Sequence, residues 1–131
     1  AVSQRLEVNQ LQFALTHANM ISENIQMNID GSPDSDTHVR TFDILTYMRL
    51  HKMTIQAWSP FQYGMFAGVF IDNSNKSAVA VAWILKHPAN IQTILGSTSP
   101  EHIKQMTEVD DVHLSNQEWY DLYQAAGYKI P

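Results

Sequence analysis

The stretch NIQTILGSTSPEHIKQMTEV, residues 90–109, shows how the chain is built. It begins with a strand-like segment, Asn90–Gly96, in which apolar and polar residues are mixed. A Gly-Ser-Thr-Ser turn follows, and a helix pattern opens directly from it. Ser99 is a suitable N-cap. Pro100 suits the first helical position, because a backbone N–H there would have no acceptor within the helix. The stretch therefore predicts a strand followed at once by a helix.

The same alternation is repeated along the rest of the chain. Strands are predicted at residues 5–13, 53–59 and 90–96, and helices at 14–25, 37–52, 77–88, 99–109 and 115–127. Strands separated by helices run parallel with crossover connections, which predicts an α/β fold. Three strands cannot bury both faces of a parallel sheet. We therefore expect residues 1–131 to form one unit that is part of a larger structure.

The composition excludes several classes of protein. Apolar residues make up 44% of the 131 residues and charged residues 16%, which is typical of a globular domain rather than a disordered one. The net charge of −5 gives no electrostatic surface for nucleic acid. There is no apolar run of about 18 residues and no leader pattern, so we expect a cytoplasmic protein that does not bind membranes.

The sequence also contains no convincing metal site. It has no cysteine, which excludes thiolate ligands, disulfides and a cysteine nucleophile. The six histidines form no H-x-x-x-H pair. The acidic stretch Asn28–Asp36 lacks the central glycine and the closing glutamate of a calcium loop, so it is interpreted as a solvated loop.

The tryptophans raise a choice between core packing and ligand binding. Trp83 lies in an Ala- and Val-rich helix, and Trp119, Tyr120 and Tyr123 lie at helical spacing, so all four are predicted to pack helices together. Trp58 is different, because it ends the second strand just before a Ser-Pro turn. It is either a plug in the core or a flat surface on which a ligand ring stacks.

Candidate ligand contacts fall at the carboxyl ends of three successive strands. Gln10, Trp58 and the turn Gly96–Thr98 are predicted to lie there, where parallel α/β folds bind their ligands. Gln10 is suited either to a ligand amide or to a buried backbone group. The turn at a helix N-terminus suits a phosphate, although capping alone also accounts for Ser99 and Pro100. The presence of candidate ligand contacts at the ends of three successive strands favours a ligand site.

Four segments, in the same order, resemble the C-terminal part of the aldo-keto reductases. They are EVNQLQF (7–13), IQAWSPF (55–61), HPANIQTILGSTSPEHIKQ (87–105) and WYDLYQAAGYKIP (119–131). The resemblance covers nearly the whole chain and looks closest to an uncharacterised bacterial branch of the family. It implies the last three strands of a (β/α)₈ TIM barrel with outer helices. It also implies an oxidoreductase that uses NADPH, with NADH possible, to reduce a small-molecule carbonyl substrate.

The resemblance assigns roles to individual residues. It implies that Trp58 stacks on the nicotinamide and that Gln10 binds its carboxamide, with Ser59 and Phe61 near the pyrophosphate. Five residues would surround the adenosine 2′-phosphate: Gly96, Ser97, Thr98, His102 and Gln105. Many relatives carry Lys in place of Gly96 and Arg in place of His102, and an Asn is expected where Met106 stands. These departures weaken the expected preference for NADP.

The chain has no counterpart of the family's catalytic Asp, Tyr, Lys and His, which lie on the first four strands. The resemblance therefore implies no catalytic residue in this chain, which is expected to be inactive alone. Its expected partner is the missing N-terminal half of the barrel or another copy of itself. The alternative function is a non-catalytic nucleotide-binding or interaction module. A helix that relatives usually insert near Ser74 and Asn75 is also missing.

Overall fold

The computed structural model describes residues 5–26, 41–61 and 76–130. Its elements follow the predicted order, with one added 3₁₀ turn at Glu108–Asp111. They are β1 (Val8–Gln12), α1 (Asn19–Gln26), α2 (Thr41–Leu50), β2 (Thr54–Trp58), α3 (Lys76–Leu85), β3 (Ile91–Thr93), α4 (Pro100–Thr107) and α5 (Asn116–Ala125). Three predictions lie outside the described residues: the loop 28–36, the helix start at Thr37, and the junction at Ser74 and Asn75.

The three strands form one parallel sheet in the order β1-β2-β3. In the ladder between β1 and β2, Gln10 is opposite Gln56 and Gln12 is opposite Trp58. In the ladder between β2 and β3, Gln56 is opposite Gln92. Each connection between neighbouring strands contains at least one helix. The predicted α/β fold with three parallel strands and helices is therefore confirmed.

The helices cover one face of this sheet. Ile55 and Ala57 of β2 point to that face and are almost completely buried, because side chains alternate between the two faces of a strand. They join a core cluster with helix residues such as Leu45, Ile84 and Tyr123. Within the described residues no element covers the other face. Parallel sheets normally have both faces covered, so the described residues account for one side of a layered fold.

Some predicted boundaries were wrong for local reasons. The helix predicted from Ala14 begins only at Asn19, because Ala14 and His17 first exchange two backbone hydrogen bonds of 3.2 and 3.0 Å in a tight turn. The helix predicted over residues 77–88 already includes Lys76 and ends at Leu85. The strand predicted to reach Gly96 ends at Thr93.

The predicted capping of α4 by Ser99 is confirmed, and α5 has a side-chain cap as well. The Ser99 side chain accepts a hydrogen bond from the backbone N–H of His102. Ser115 and Glu118 form a reciprocal capping box at α5, and the donated Ser115 backbone N–H lowers the pKa of the Glu118 carboxyl. Gly127 follows α5 with φ of 96°, a left-handed conformation that favours glycine.

An aromatic stack joins α3 to the C-terminal helix. The rings of Trp83 and Trp119 lie 4.7 Å apart at 5°, and Trp119 stacks in turn on Tyr123. Each indole N–H donates to the other tryptophan's backbone carbonyl, at 3.0 Å from Trp83 and 2.9 Å from Trp119. These three residues are buried as predicted. Tyr120 packs edge-on against Trp119, with ring centroids 5.0 Å apart, but it remains 42% exposed.

One buried histidine gives the stability of the fold a pH dependence. Burial, with a smaller contribution from Arg49, lowers the pKa of His87 from its usual 6.5 to about 4. Between these two values the unfolded chain binds a proton that the folded chain does not. Stability is therefore expected to fall as the pH drops from 6.5 towards 4. The measurement is the melting temperature from pH 7 to 4.5, and His87→Gln is expected to flatten the curve relative to wild type.

The matched control for this titration is His113→Gln, since His113 is exposed. That variant is expected to keep the full pH dependence of the wild-type protein. Identical pH curves for wild type and His87→Gln would contradict the role assigned to His87.

Candidate functional site

Trp58 lies at the carboxyl end of β2 with its side chain open to solvent. It is 36% exposed and does not belong to the buried core cluster. Its face of the sheet is the one that the described helices leave uncovered, because it alternates with the buried Ala57. Trp58 is therefore not a core plug in the described structure, and its indole is accessible to a ligand.

Gln10 was predicted to lie at the end of its strand, and this position is wrong. The ladder with β2 continues to Gln12, which is opposite Trp58, so Gln10 is the central residue of β1. Beyond it, the Phe13 backbone N–H still donates to the Trp58 carbonyl at 3.4 Å. Gln12 is thus the amide side chain level with the indole. The sequence contained a signal for Gln12, because it follows Gln10 by two residues and therefore lies on the same face of the strand.

A row of three glutamines crosses the uncovered face below Trp58. Gln10, Gln56 and Gln92 are paired across the sheet, and Gln56 Nε2 donates to Gln92 Oε1 at 3.1 Å. The sequence analysis missed this row. The signal was available, because each predicted strand carries a glutamine near its centre. The uncovered face is therefore polar in its middle.

The chain turns sharply after Trp58. Ser59 has φ of 55°, in the left-handed region that is unfavourable for residues other than glycine, and Pro60 is buried behind it. Phe61 is half-buried and packs against the core cluster. Ser59 is half-buried beside the indole, and part of the Phe61 ring is used in packing.

The turn after β3 is held by hydrogen bonds of its own. The Ser97 backbone N–H donates to the Leu95 carbonyl at 2.9 Å, and Ser97 Oγ accepts from the Ser99 N–H at 3.2 Å. The backbone N–H groups of Thr98 and Glu101 have no acceptor within the described residues. This helix N-terminus therefore keeps two N–H groups that can donate to an anion.

The side chains around this turn leave space for a charged group. Gly96 and Thr98 are exposed, and a Cβ on Gly96 would meet no atom within 4 Å. His102 and Gln105 are exposed on α4. Met106 is only 3% exposed, so the residue that departs from the expected asparagine belongs to the core. Of the five residues predicted to surround the 2′-phosphate, four are therefore exposed and Ser97 is half-buried.

The described residues contain neither a metal-ligand cluster nor a membrane-spanning helix. No group of three His, Cys, Asp or Glu side chains is placed to hold a metal ion in residues 5–26, 41–61 and 76–130. None of the described helices is long and apolar enough to cross a membrane.

Comparisons with known proteins show similarity to one enzyme family. The model of the aldo/keto reductase family matches residues 72–126, which include β3, the turn after it and both C-terminal helices. The 6-dehydroglucose reductase of Agrobacterium fabrum (strain C58 / ATCC 33970) is 27% identical over 139 aligned residues, covering 96% of this chain. Both findings support similarity to the aldo/keto reductase family. The chain spans 40% of the length of that curated relative.

A barrel of the aldo/keto reductase kind would explain the one-sided sheet. Three parallel strands with helices on one face are consistent with part of a (β/α)₈ barrel, whose interior would be the face without helices. In an aldo/keto reductase barrel, the glutamine row and Trp58 therefore face the interior. The turn after β3 lies at the carboxyl edge of the same sheet.

The residues at this edge fit a dinucleotide. Trp58 offers an exposed aromatic face, the half-buried Ser59 lies in the turn beside it, and the N-terminus of α4 has two N–H groups for a phosphate. Lys104 is the nearest cation in sequence to this turn, and no cation replaces the lysine and arginine expected at Gly96 and His102. The polar groups fit the cofactor, although the charge for a 2′-phosphate is reduced.

Proposed function

We propose that this chain is the cofactor-binding part of an NAD(P)H-dependent aldo-keto reductase that reduces a carbonyl compound to an alcohol. The observation that carries the proposal is the exposed Trp58 at the carboxyl edge of the sheet, in a chain similar to this family. Ligands of parallel α/β folds bind at this edge. A core tryptophan would have favoured a purely structural role for the strand end.

Each described residue has a part in holding the dinucleotide. Trp58 supplies a stacking face for the nicotinamide, and Gln12 and Gln10 offer amides on the same side of the sheet. Ser59, in the turn beside the indole, approaches the pyrophosphate. The free N–H groups of Thr98 and Glu101 orient the adenosine phosphate. The bound cofactor supplies the hydride for reduction of the carbonyl.

The substrate proposal follows from the curated relative, whose name describes a reductase of 6-dehydroglucose. An oxidised sugar is therefore the substrate class to test first, beginning with 6-dehydroglucose itself. No described residue of this chain is assigned to protonate the developing alkoxide. That group comes from the remaining strands of the barrel, which we propose as the partner of this chain.

The open sheet supports the need for such a partner. Val8 is 47% exposed and Leu6 is 70% exposed at the β1 edge, and the described residues pair neither β1 nor β3 on its outer side. Unpaired apolar edges promote association with other strands. Native mass spectrometry is expected to show this chain bound to further barrel segments or to another copy. A stable monomer of 14.9 kDa would contradict this part of the proposal.

Trp58→Ala is expected to weaken NADPH and NADH binding by about tenfold while leaving the melting temperature nearly unchanged. Aromatic stacking contributes about 0.5–1.5 kcal/mol beyond buried area, which corresponds to at most about a tenfold change in Kd. The fold is spared because the indole lies outside the core cluster. Fluorescence titration and thermal melting, with the complete barrel present, measure both quantities.

Trp58→Tyr is the matched control, since it keeps an aromatic face and is expected to retain nearly full affinity. Unchanged nucleotide affinity in Trp58→Ala, together with a large fall in melting temperature, would make Trp58 structural. Nucleotide binding without carbonyl reduction by the complete protein would instead favour the non-catalytic nucleotide-binding alternative.

A further inference from the structure

A cavity of about 490 Å³ lies among the helices, away from the strand-end site. It is formed where the end of α2, the turn after α3 and the start of α5 meet beside α1. Its described lining shares no residue with the proposed cofactor site. The lining residues are Ile21, Leu45, Thr46, Arg49, Lys86, His87, Pro88, Asn116, Trp119 and Tyr120. Its volume is in the range of small-molecule sites, about 300–1,000 Å³.

Positive charge is concentrated in this cavity. Arg49 and Lys86 both line it, although the whole chain has only eight lysines and arginines against thirteen acidic residues. None of the described lining residues is acidic. Within the described part of the chain neither cation has a carboxylate partner. Two cations at one cavity, with no carboxylate partner among residues 5–26, 41–61 and 76–130, favour an anion there.

The rest of the lining is apolar or aromatic. Ile21 and Leu45 belong to the buried core and form the floor, and Trp119 and Tyr120 form an aromatic corner with ring centroids 5.0 Å apart. His87 adds a neutral polar group, because its Nδ1 accepts the Ala89 backbone N–H at 3.2 Å and its pKa is lowered to about 4. A ligand therefore needs an apolar body as well as a negative charge.

We propose that this cavity binds a small organic acid, with a flat apolar body against the core floor and a carboxylate or sulfonate between Arg49 and Lys86. The site is separate from the dinucleotide site and does not depend on the proposed reductase function. Charge-assisted hydrogen bonds from both cations set the preference for the acid over a neutral analogue.

The test uses 2-naphthoate and its neutral analogue 2-naphthamide as probes of the whole protein, by calorimetry at pH 8. Wild type is expected to bind the acid about tenfold more tightly than the amide. In the double variant Arg49→Gln, Lys86→Gln this ratio is expected to fall to about one. Lys129→Gln is the matched control, because Lys129 is exposed and does not line the cavity, and it is expected to keep the wild-type ratio.

Each other outcome overturns the proposal. Equal affinity for acid and amide in wild type would show that Arg49 and Lys86 do not favour a negatively charged ligand. An unchanged ratio in the double variant would place the acid elsewhere, for example at the strand-end site. If the ratio of acid to amide affinity falls equally in Lys129→Gln, the preference for the acid is a general effect of net charge. The absence of saturable binding would show that the cavity takes no such ligand.

Discussion

Trp83→Ala is expected to lower the free energy of unfolding by about 3–5 kcal/mol, the usual cost of truncating a buried tryptophan. The side chain is completely buried between Phe13 and Trp119, at ring distances of 5.5 and 4.7 Å. Its loss also leaves the Trp119 carbonyl without the indole donor. Chemical denaturation with a two-state fit measures the change.

Two further variants separate packing from hydrogen bonding in this stack. Trp83→Phe keeps a ring but removes one indole N–H, so it is expected to cost about 1–3 kcal/mol. Trp58→Ala serves as the control, because that tryptophan is outside the core cluster and its loss should change stability little. Equal destabilisation by Trp58→Ala and Trp83→Ala would contradict the assignment of the core.

The pair Gly96→Lys, His102→Arg is expected to increase the affinity for NADPH by about a hundredfold, with little change for NADH. Each substitution restores a cation that many relatives carry at these positions, and a hydrogen bond to a charged group is worth about 1.5–3 kcal/mol. The structure has room for both, since Gly96 has open space around its Cα and His102 is exposed. Competitive titration of the two nucleotides measures the selectivity.

The control for this pair is Lys104→Arg, which keeps the charge on α4 and adds none. It should leave the selectivity between NADPH and NADH as in wild type. If the double variant gains equally for both nucleotides, the new cations contact a phosphate that both nucleotides share. If it gains for neither, the turn after β3 is not the adenosine site.

The sequence predicted the order of elements well because its strongest signals are local. The Ser99-Pro100 start of α4 and the Ser115–Glu118 capping box depend on residues within one helical turn. The wrong start of α1 depended on the Ala14–His17 bridge, which the local helix pattern does not reveal. Local signals therefore located most elements and misplaced the boundary that a backbone bridge sets.

The candidate site was predictable only in part, because it depends on pairing between strands. The exposure of Trp58 follows from the uncovered sheet face, which no single segment shows. Gln10 was misplaced because the register with β2 decides where β1 ends. The organic-acid cavity was not predicted, since Arg49 and Lys86 are distant in sequence and meet only when the helices pack. Registers and helix contacts are long-range properties.

The paired tryptophans also have a consequence for the order in which the chain can fold during synthesis. Trp83 and Trp119 are 36 residues apart, and β3, the turn after it and α4 all lie between them. The ribosome makes Trp119 after this whole segment, so the turn emerges before the contact that encloses it exists. The turn after β3 therefore lies in a segment whose two ends are joined only when α5, which contributes no residue to the turn, has emerged and docked.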